Sequence, residues 1–151
     1  MREAVRHLAW FRYSFRKFMR FSEQAARECG LTPQQHQLLL GVAGCTDRGQ
    51  ATVSELAEFL QEHHNSTVQL VNRAAERGLV RKEHAANDRR FVFVSLTHRG
   101  TAMLLTLSRL HQQEVRRLQE GLHKPDKDWR PQTRNCPVPG NAKRGARARE
   151  S

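Results

Sequence analysis

Acidic residues are scarce in this chain relative to basic ones. The 26 lysines and arginines face 15 aspartates and glutamates, which gives a formal net charge of +11. Such an excess attracts polyanions, either nucleic acid or an anionic membrane surface, and it describes partners rather than fold. Residues 124–151 hold eight of the basic residues and three of the acidic ones, so a net +6 remains on residues 1–123. The body of the chain is therefore basic without its C-terminal segment.

Long apolar runs and cysteines are also few. No run approaches the roughly 20 apolar residues of a membrane helix, and arginines and lysines interrupt any signal-peptide core in residues 1–20. The three cysteines, Cys29, Cys45 and Cys136, lack a CxxC pair, which argues against a disulfide scaffold and indicates the reducing cytoplasm. Cys29 or Cys45 could serve as a redox switch only in electropositive, partly exposed surroundings.

Catalytic motifs are missing as well. We find no nucleophile–base arrangement, no glycine-rich phosphate loop and no acidic pair, so neither an enzyme nor a cofactor is expected. The adjacent His63 and His64 point to different faces of any helix or strand, and no cysteine or carboxylate set accompanies them. A metal site is therefore not expected.

The first helix shows a heptad-like apolar seam. Its members are spaced three and four residues apart: Leu8, Phe11, Phe15, Phe18, Ser22, Ala25 and Cys29. This spacing predicts one long helix over residues 4–30 that stops at Gly30. Four aromatic residues lie on or beside the seam, so we expect the helix to pack on a partner chain as well as on its own core. An ordinary core helix is the alternative.

The remaining elements are predicted in the order helix, helix, helix, strand, strand, helix. Thr32 and Pro33 open the first of these helices, Thr52 and Glu55 form a capping box before the second, and Thr97 caps the last. The elements cover about 33–42, 53–60, 66–77, 79–84, 91–96 and 98–123. This order predicts a mainly α fold with a small β-hairpin wing, that is, a winged helix-turn-helix. Residues 124–151, with four of the five prolines, are expected to be a disordered basic tail.

The helix predicted at 66–77 has two distinct faces. Its inward residues are predicted to be Val68, Val71 and Ala75, with Leu70 and Ala74 beside them. This orientation turns Ser66, Gln69 and Arg73 to solvent as one stripe. Glutamine can bond adenine, arginine can bond guanine or phosphate, and serine can bond either. The stripe therefore predicts a DNA-recognition surface, although a merely solvated polar face remains the alternative.

Two further groups of residues agree with DNA binding. Asn65 and Thr67 lie with the two histidines at the helix start, where backbone N–H groups favour a phosphate. Asp88, Arg89 and Arg90 lie on the hairpin turn, where a narrow groove of negative potential would attract guanidinium groups. Asp88 could orient one arginine through a charge-assisted bond. A solvated charged loop is the alternative.

The stretch 31–100 resembles MarR-type transcriptional regulators. The resemblance rests on Leu56-Ala57, on residues 66–73 and 76–81, and on the Asp88-Arg-Arg90 and Val94-Ser-Leu-Thr97 segments with Gly100. It implies a homodimer that places two recognition helices on a pseudo-palindromic operator. Arg90 would enter the minor groove, and Gln69 and Arg73 would face the major groove. Residues 4–30 and 98–123 would be the dimerisation helices, and 31–97 the DNA-binding lobe.

The resemblance also implies a small aromatic effector between the dimerisation helices and the DNA-binding lobe, with Trp10, Phe11 and Tyr13 as candidate contacts. Plain core packing is the alternative for these three. The chain departs from the family at Gln69, where arginine or threonine is commoner, and at its end, where the tail replaces a further helix. The function so predicted is a cytoplasmic, ligand-responsive repressor. A winged-helix protein-interaction module and a nonspecific binder that uses the tail are the rival readings.

Overall fold

A computed structural model describes residues 1–85, 88 and 91–123. It contains five helices and three strands within these residues. Their bounds are α1 Arg2–Glu28, α2 Pro33–Gly44, β1 Gln50–Thr52, α3 Val53–Leu60, α4 His64–Glu76, β2 Val80–His84, β3 Val92–Leu96 and α5 His98–His123. The predicted tail, 124–151, lies outside the described residues.

The helix ends follow the predicted capping chemistry. The Thr32 hydroxyl accepts from Gln35 N at 3.1 Å, and the Thr52 hydroxyl accepts from Glu55 N at 3.2 Å. In both helices the side chain at the third position returns the bond to the cap backbone, which completes a capping box. Gly100 N donates to the Thr97 hydroxyl at 3.0 Å, so Thr97 also caps α5 as expected.

The three strands form one antiparallel sheet in the order β1-β3-β2. β2 and β3 are the expected hairpin, with Lys82 opposite Val94 and His84 opposite Val92. β1 was not expected from the sequence, in which no element was predicted between residues 42 and 53. It pairs Ala51 with Val94 on the other edge of β3, so its existence depends on a partner more than 40 residues away. The winged-helix fold is confirmed, with this third strand added.

The core lies between the sheet, helices α2 and α4, the C-terminal end of α1 and the N-terminal half of α5. Its largest fully buried side chains are Leu38, Leu39, Leu56, Leu79, Leu107, Val42, Val71 and Val94. Helix α1 runs along α5, and the indole N–H of Trp10 donates to the Gly121 carbonyl. The C-terminal half of the α1 seam is in the core, with Ser22 and Ala25 buried, whereas Leu8, Phe11 and Phe15 are exposed.

Candidate nucleic-acid interface

Helix α4 has one wholly buried face and one exposed face. The buried face consists of Thr67, Leu70, Val71 and Ala74. Ser66, Gln69 and Arg73 are exposed and lie together on the opposite side, as the sequence predicted. The inward set was misplaced by a fraction of a turn, because Val68 and Ala75 are only partly buried while Leu70 and Ala74 are fully buried.

Thr67 does not lie on the exposed face. Its side chain is 1% exposed, and its hydroxyl donates to the His63 carbonyl at 3.1 Å. The sequence suggested a DNA contact because Thr67 stands at the helix start, where backbone N–H groups favour a phosphate. Its hydroxyl instead satisfies the backbone one turn earlier, so the prediction that Thr67 contacts DNA is wrong.

The start of α4 is open. The helix begins at His64, two residues earlier than expected, and its N-cap His63 makes no side-chain capping bond. The first backbone bond of the helix runs from Thr67 N to the His63 carbonyl at 3.0 Å. The preceding N–H groups of the first turn therefore point out of the helix end beside the exposed Asn65.

The wing is docked against α4 by a lysine. Lys82 Nζ on β2 donates to Asn72 Oδ1 at 2.7 Å, which joins the two elements across the exposed face. The sequence analysis missed this link, since no local pattern pairs a lysine with an asparagine ten residues before it. At the hairpin turn, Phe91 N donates to the Asp88 carbonyl at 3.1 Å, and Ala85 N donates to the Phe91 carbonyl at 3.0 Å. Asp88 is half-buried there, and Arg89 and Arg90 lie outside the described residues.

Arg77 has a structural role at the C-terminal end of α4. Its guanidinium donates to Gln35 Oε1 at 2.5 Å and to the Gly30 carbonyl at 2.7 Å. The end of α4 is thereby tied to the corner between α1 and α2. On the wing, Arg81 bonds the Ser95 hydroxyl at 2.9 Å and pairs with Glu83 at 3.3 Å.

A cavity of about 940 Å³ lies between the long helices and the α2–α3 layer. Its aromatic walls are Phe15 and Phe18 from α1 and Phe59 from α3, and polar groups reach it from His36 and from α5. None of the three predicted effector contacts lines it. Trp10 and Tyr13 line a separate groove of about 310 Å³ between α1 and α5.

Phe11 is the third of those predicted contacts. It is 49% exposed and stacks on Phe15 with ring centroids 6.3 Å apart. The three residues therefore do not line the 940 Å³ cavity, and their contact with an effector stays a prediction. The sequence located the aromatic helix correctly, but it could not show which turn of that helix faces the cavity.

Two buried histidines stand at the cavity wall. The rings of His36 and His111 lie 5.1 Å apart, and His111 Nδ1 bonds the Leu107 carbonyl at 2.6 Å. Since a carbonyl only accepts, Nδ1 carries the proton. Burial, and then the charge of His111, lowers the pKa of His36 to about 4.

The cysteines give little support to a redox switch. Burial, followed by the charge of Glu55, raises the pKa of the Cys45 thiol and so disfavours the reactive thiolate. Cys29 is half-buried and reduced, and Cys136 lies outside the described residues. Within residues 1–85, 88 and 91–123, no group of three or more potential metal ligands occurs, and no helix is both long and apolar enough to cross a membrane.

The comparison with protein families decides the relationship, because residues 30–90 match the model of the MarR family. Residues 30–90 are thus similar in sequence to the MarR family. The resemblance seen in the sequence is thus confirmed. The matched residues contain helices α2, α3 and α4 and the first wing strand, β2. The MarR family is one of DNA-binding transcriptional regulators. No curated protein matches the sequence significantly.

Solved structures with the same fold are MarR family regulators. AbsC from Streptomyces coelicolor is 24% identical over 75% of this chain and 76% of its own, with a TM-score of 0.64. A mutant of MarR from E. coli, complexed with operator DNA, is 22% identical over 74% and 75%, with a TM-score of 0.60. BpsR from Bordetella bronchiseptica, whose DNA binding is regulated by 6-hydroxynicotinic acid, is 20% identical over 71% and 74%, with a TM-score of 0.58.

Proposed function

We propose that this chain is a transcriptional repressor that binds a pseudo-palindromic operator as a homodimer and responds to a small aromatic effector. The observation that carries the proposal is the exposed stripe of Ser66, Gln69 and Arg73 opposite the buried face of α4. A helix so anchored can present side chains to base edges in the major groove. The operator complex of the E. coli MarR mutant, which shares the fold, supports this use of the lobe.

The exposed residues of α4 each have a chemical role in this proposal. Gln69 can bond adenine through both atoms of its amide, and Arg73 can bond guanine or a phosphate. Asn65 and Ser66 lie at the open end of α4 and suit phosphate or base contacts. The wing would reach the neighbouring minor groove with Arg89 and Arg90, oriented by Asp88; this part of the proposal rests on the family resemblance.

Homodimer formation is proposed from the exposed apolar seams of the long helices. Leu8, Phe11 and Phe15 are each about half exposed on α1, and Leu105 and Leu110 are similarly exposed on α5. An apolar surface of this kind is unusual on a monomer and is typical of an interface. A second copy of the chain would cover the seams and place two α4 helices about one turn of DNA apart.

The first prediction concerns the stripe. On a duplex selected from random sequence, Gln69→Ala and Arg73→Ala should each weaken binding by about 1–3 kcal/mol, because each removes a base or phosphate contact. Fluorescence anisotropy at fixed salt measures the affinity, and sedimentation should find two chains per duplex.

The matched control is Glu76→Ala, which is exposed on the same helix but should not lower affinity. If Gln69→Ala and Arg73→Ala bind both selected and random duplexes like the unchanged chain, α4 is not the reading helix. If a chain ending at Leu122 loses all binding while both changes are silent, the tail is the binder instead.

The effector is proposed to bind in the 940 Å³ cavity and not beside Trp10, Phe11 and Tyr13. The cavity combines aromatic walls with a few polar groups, which is the usual make-up of a small-molecule site. It also touches both the long helices and α2–α3, so a ligand there can favour one arrangement of the two layers over another. Regulation of BpsR by 6-hydroxynicotinic acid supports a ligand of this class.

The second prediction fills the cavity. Ser108→Trp places an indole at its wall and should weaken binding of phenol or 6-hydroxynicotinate at least about tenfold, because the added ring occupies the ligand's volume. Calorimetry measures this binding without DNA. Thr106→Trp, exposed on the same helix and away from the cavity wall, is the control. Equal ligand affinity in both variants would place the effector elsewhere.

A further inference from the structure

A small groove separates the start of α4 from the wing. Its volume is about 230 Å³, and its walls include His64 from α4, Lys82 and His84 from β2, and Phe91 next to β3. All four side chains are exposed. The groove thus brings two histidines and a lysine together from elements that are about 20 residues apart in sequence.

The position of this groove relative to DNA follows from the proposed function, on which this inference rests. With α4 in the major groove and the wing in the adjacent minor groove, the surface between them faces the sugar-phosphate strand that separates the two grooves. His64 and His84 line that surface. A protonated imidazole beside a phosphate forms a charge-assisted bond, whereas a neutral one contributes no charge.

Both acidic and basic side chains surround the two histidines. Glu58, Glu62 and His63 share a second hollow with His64 on the α3–α4 side. On β2, Lys82 is bonded to Asn72, and Glu83 is paired with Arg81. Of the side-chain types in this set, histidine is the one whose charge ordinarily changes in the physiological pH range.

We propose that His64 and His84 are phosphate-binding residues that act in their protonated form, so that DNA binding takes up protons. A nearby phosphate favours the charged imidazole, and affinity therefore rises as the pH falls toward the ordinary histidine range. Glu58 and Glu62 repel phosphate near His64, and protonation of the histidines offsets that repulsion. The arginine and glutamine contacts of α4 remain independent of pH.

The test uses the full chain and a random-sequence duplex of about 30 base pairs, since phosphate contacts do not depend on sequence. Between about pH 8 and pH 6 at constant ionic strength, affinity should rise on the order of tenfold or more. In the His64→Gln, His84→Gln double variant most of this rise should be lost, and each single variant should lose part of it. His98→Gln, exposed at the start of α5 and outside the groove, should behave like the unchanged chain.

A direct measurement accompanies the affinities. The imidazole resonances of His64 and His84, followed by NMR, should titrate at higher pH with the duplex than without it, and that of His98 should not move. Binding that is independent of pH, or a rise that survives in the double variant, would overturn the inference while leaving the proposed regulator intact. Absence of DNA binding at every pH would overturn both.

Discussion

Gly100→Ala should lower the free energy of unfolding by about 3 kcal/mol or more, the upper range for overpacking a core position. A Cβ at residue 100 would lie 2.1 Å from the Leu79 carbonyl oxygen, which is backbone and cannot rotate away. That oxygen also accepts from Thr97 N at 3.1 Å and from the Thr97 hydroxyl at 3.1 Å. Moving it would disturb the start of α5 and the entry to β2 together.

Chemical denaturation monitored by circular dichroism measures the effect, and Gly44→Ala provides the matched control. Gly44 ends α2 with no heavy atom within 4 Å of an added Cβ, so alanine there should be neutral or stabilising by up to about 1 kcal/mol. Equal stability of the two variants would contradict the close approach of α5 to Leu79.

Acid should destabilise the fold through His36, with a maximum contribution of about 3 kcal/mol. The pKa of His36 is about 4 in the fold and near 6.5 when unfolded. The unfolded chain therefore binds more protons between these values. Stability from this group is fully present above about pH 6.5 and is lost as the pH falls toward about 4.

Unfolding free energies at about pH 7 and about pH 4.5 measure the loss, and His36→Gln should reduce it because glutamine does not titrate. The difference between the two chains reports the contribution of His36 together with its coupling to His111. His98→Gln keeps the buried histidine and should lose as much stability as the unchanged chain. An equal loss in His36→Gln would show that His36 is not buried in its neutral form.

The winged-helix fold could be predicted because its signals are local. Thr52 and Glu55 specify a helix start by themselves, and the alternation of residues 91–96 specifies a strand. β1 could not be predicted, since three residues carry no periodicity and Ala51 becomes a strand residue only beside Val94. The local signal at Thr52 is the capping box, which marks the start of α3 and carries no information about pairing with β3.

Only part of the candidate site could be predicted from the sequence. Ser66, Gln69 and Arg73 were placed on the correct face, because polar residues at helical spacing turn together. Thr67 was misplaced, because a threonine can either face solvent or bond the backbone one turn earlier, and only packing decides between these states. The rings that line the 940 Å³ cavity could not be predicted for a similar reason, since a helix rich in aromatics on several faces does not indicate which ring meets α3.

Arg77 connects three separate parts of the chain at one guanidinium group. Gln35 Oε1 accepts both from Arg77 and from Thr32 N at 3.1 Å, so the cap of α2 and the end of α4 share one oxygen. Gly30, whose carbonyl is the other acceptor, lies two residues after the end of α1. The C-terminal end of α4 is consequently held at the junction of α1 and α2. A displacement of α1 relative to α2 would therefore have to break one of these bonds or move the C-terminal end of α4 with it.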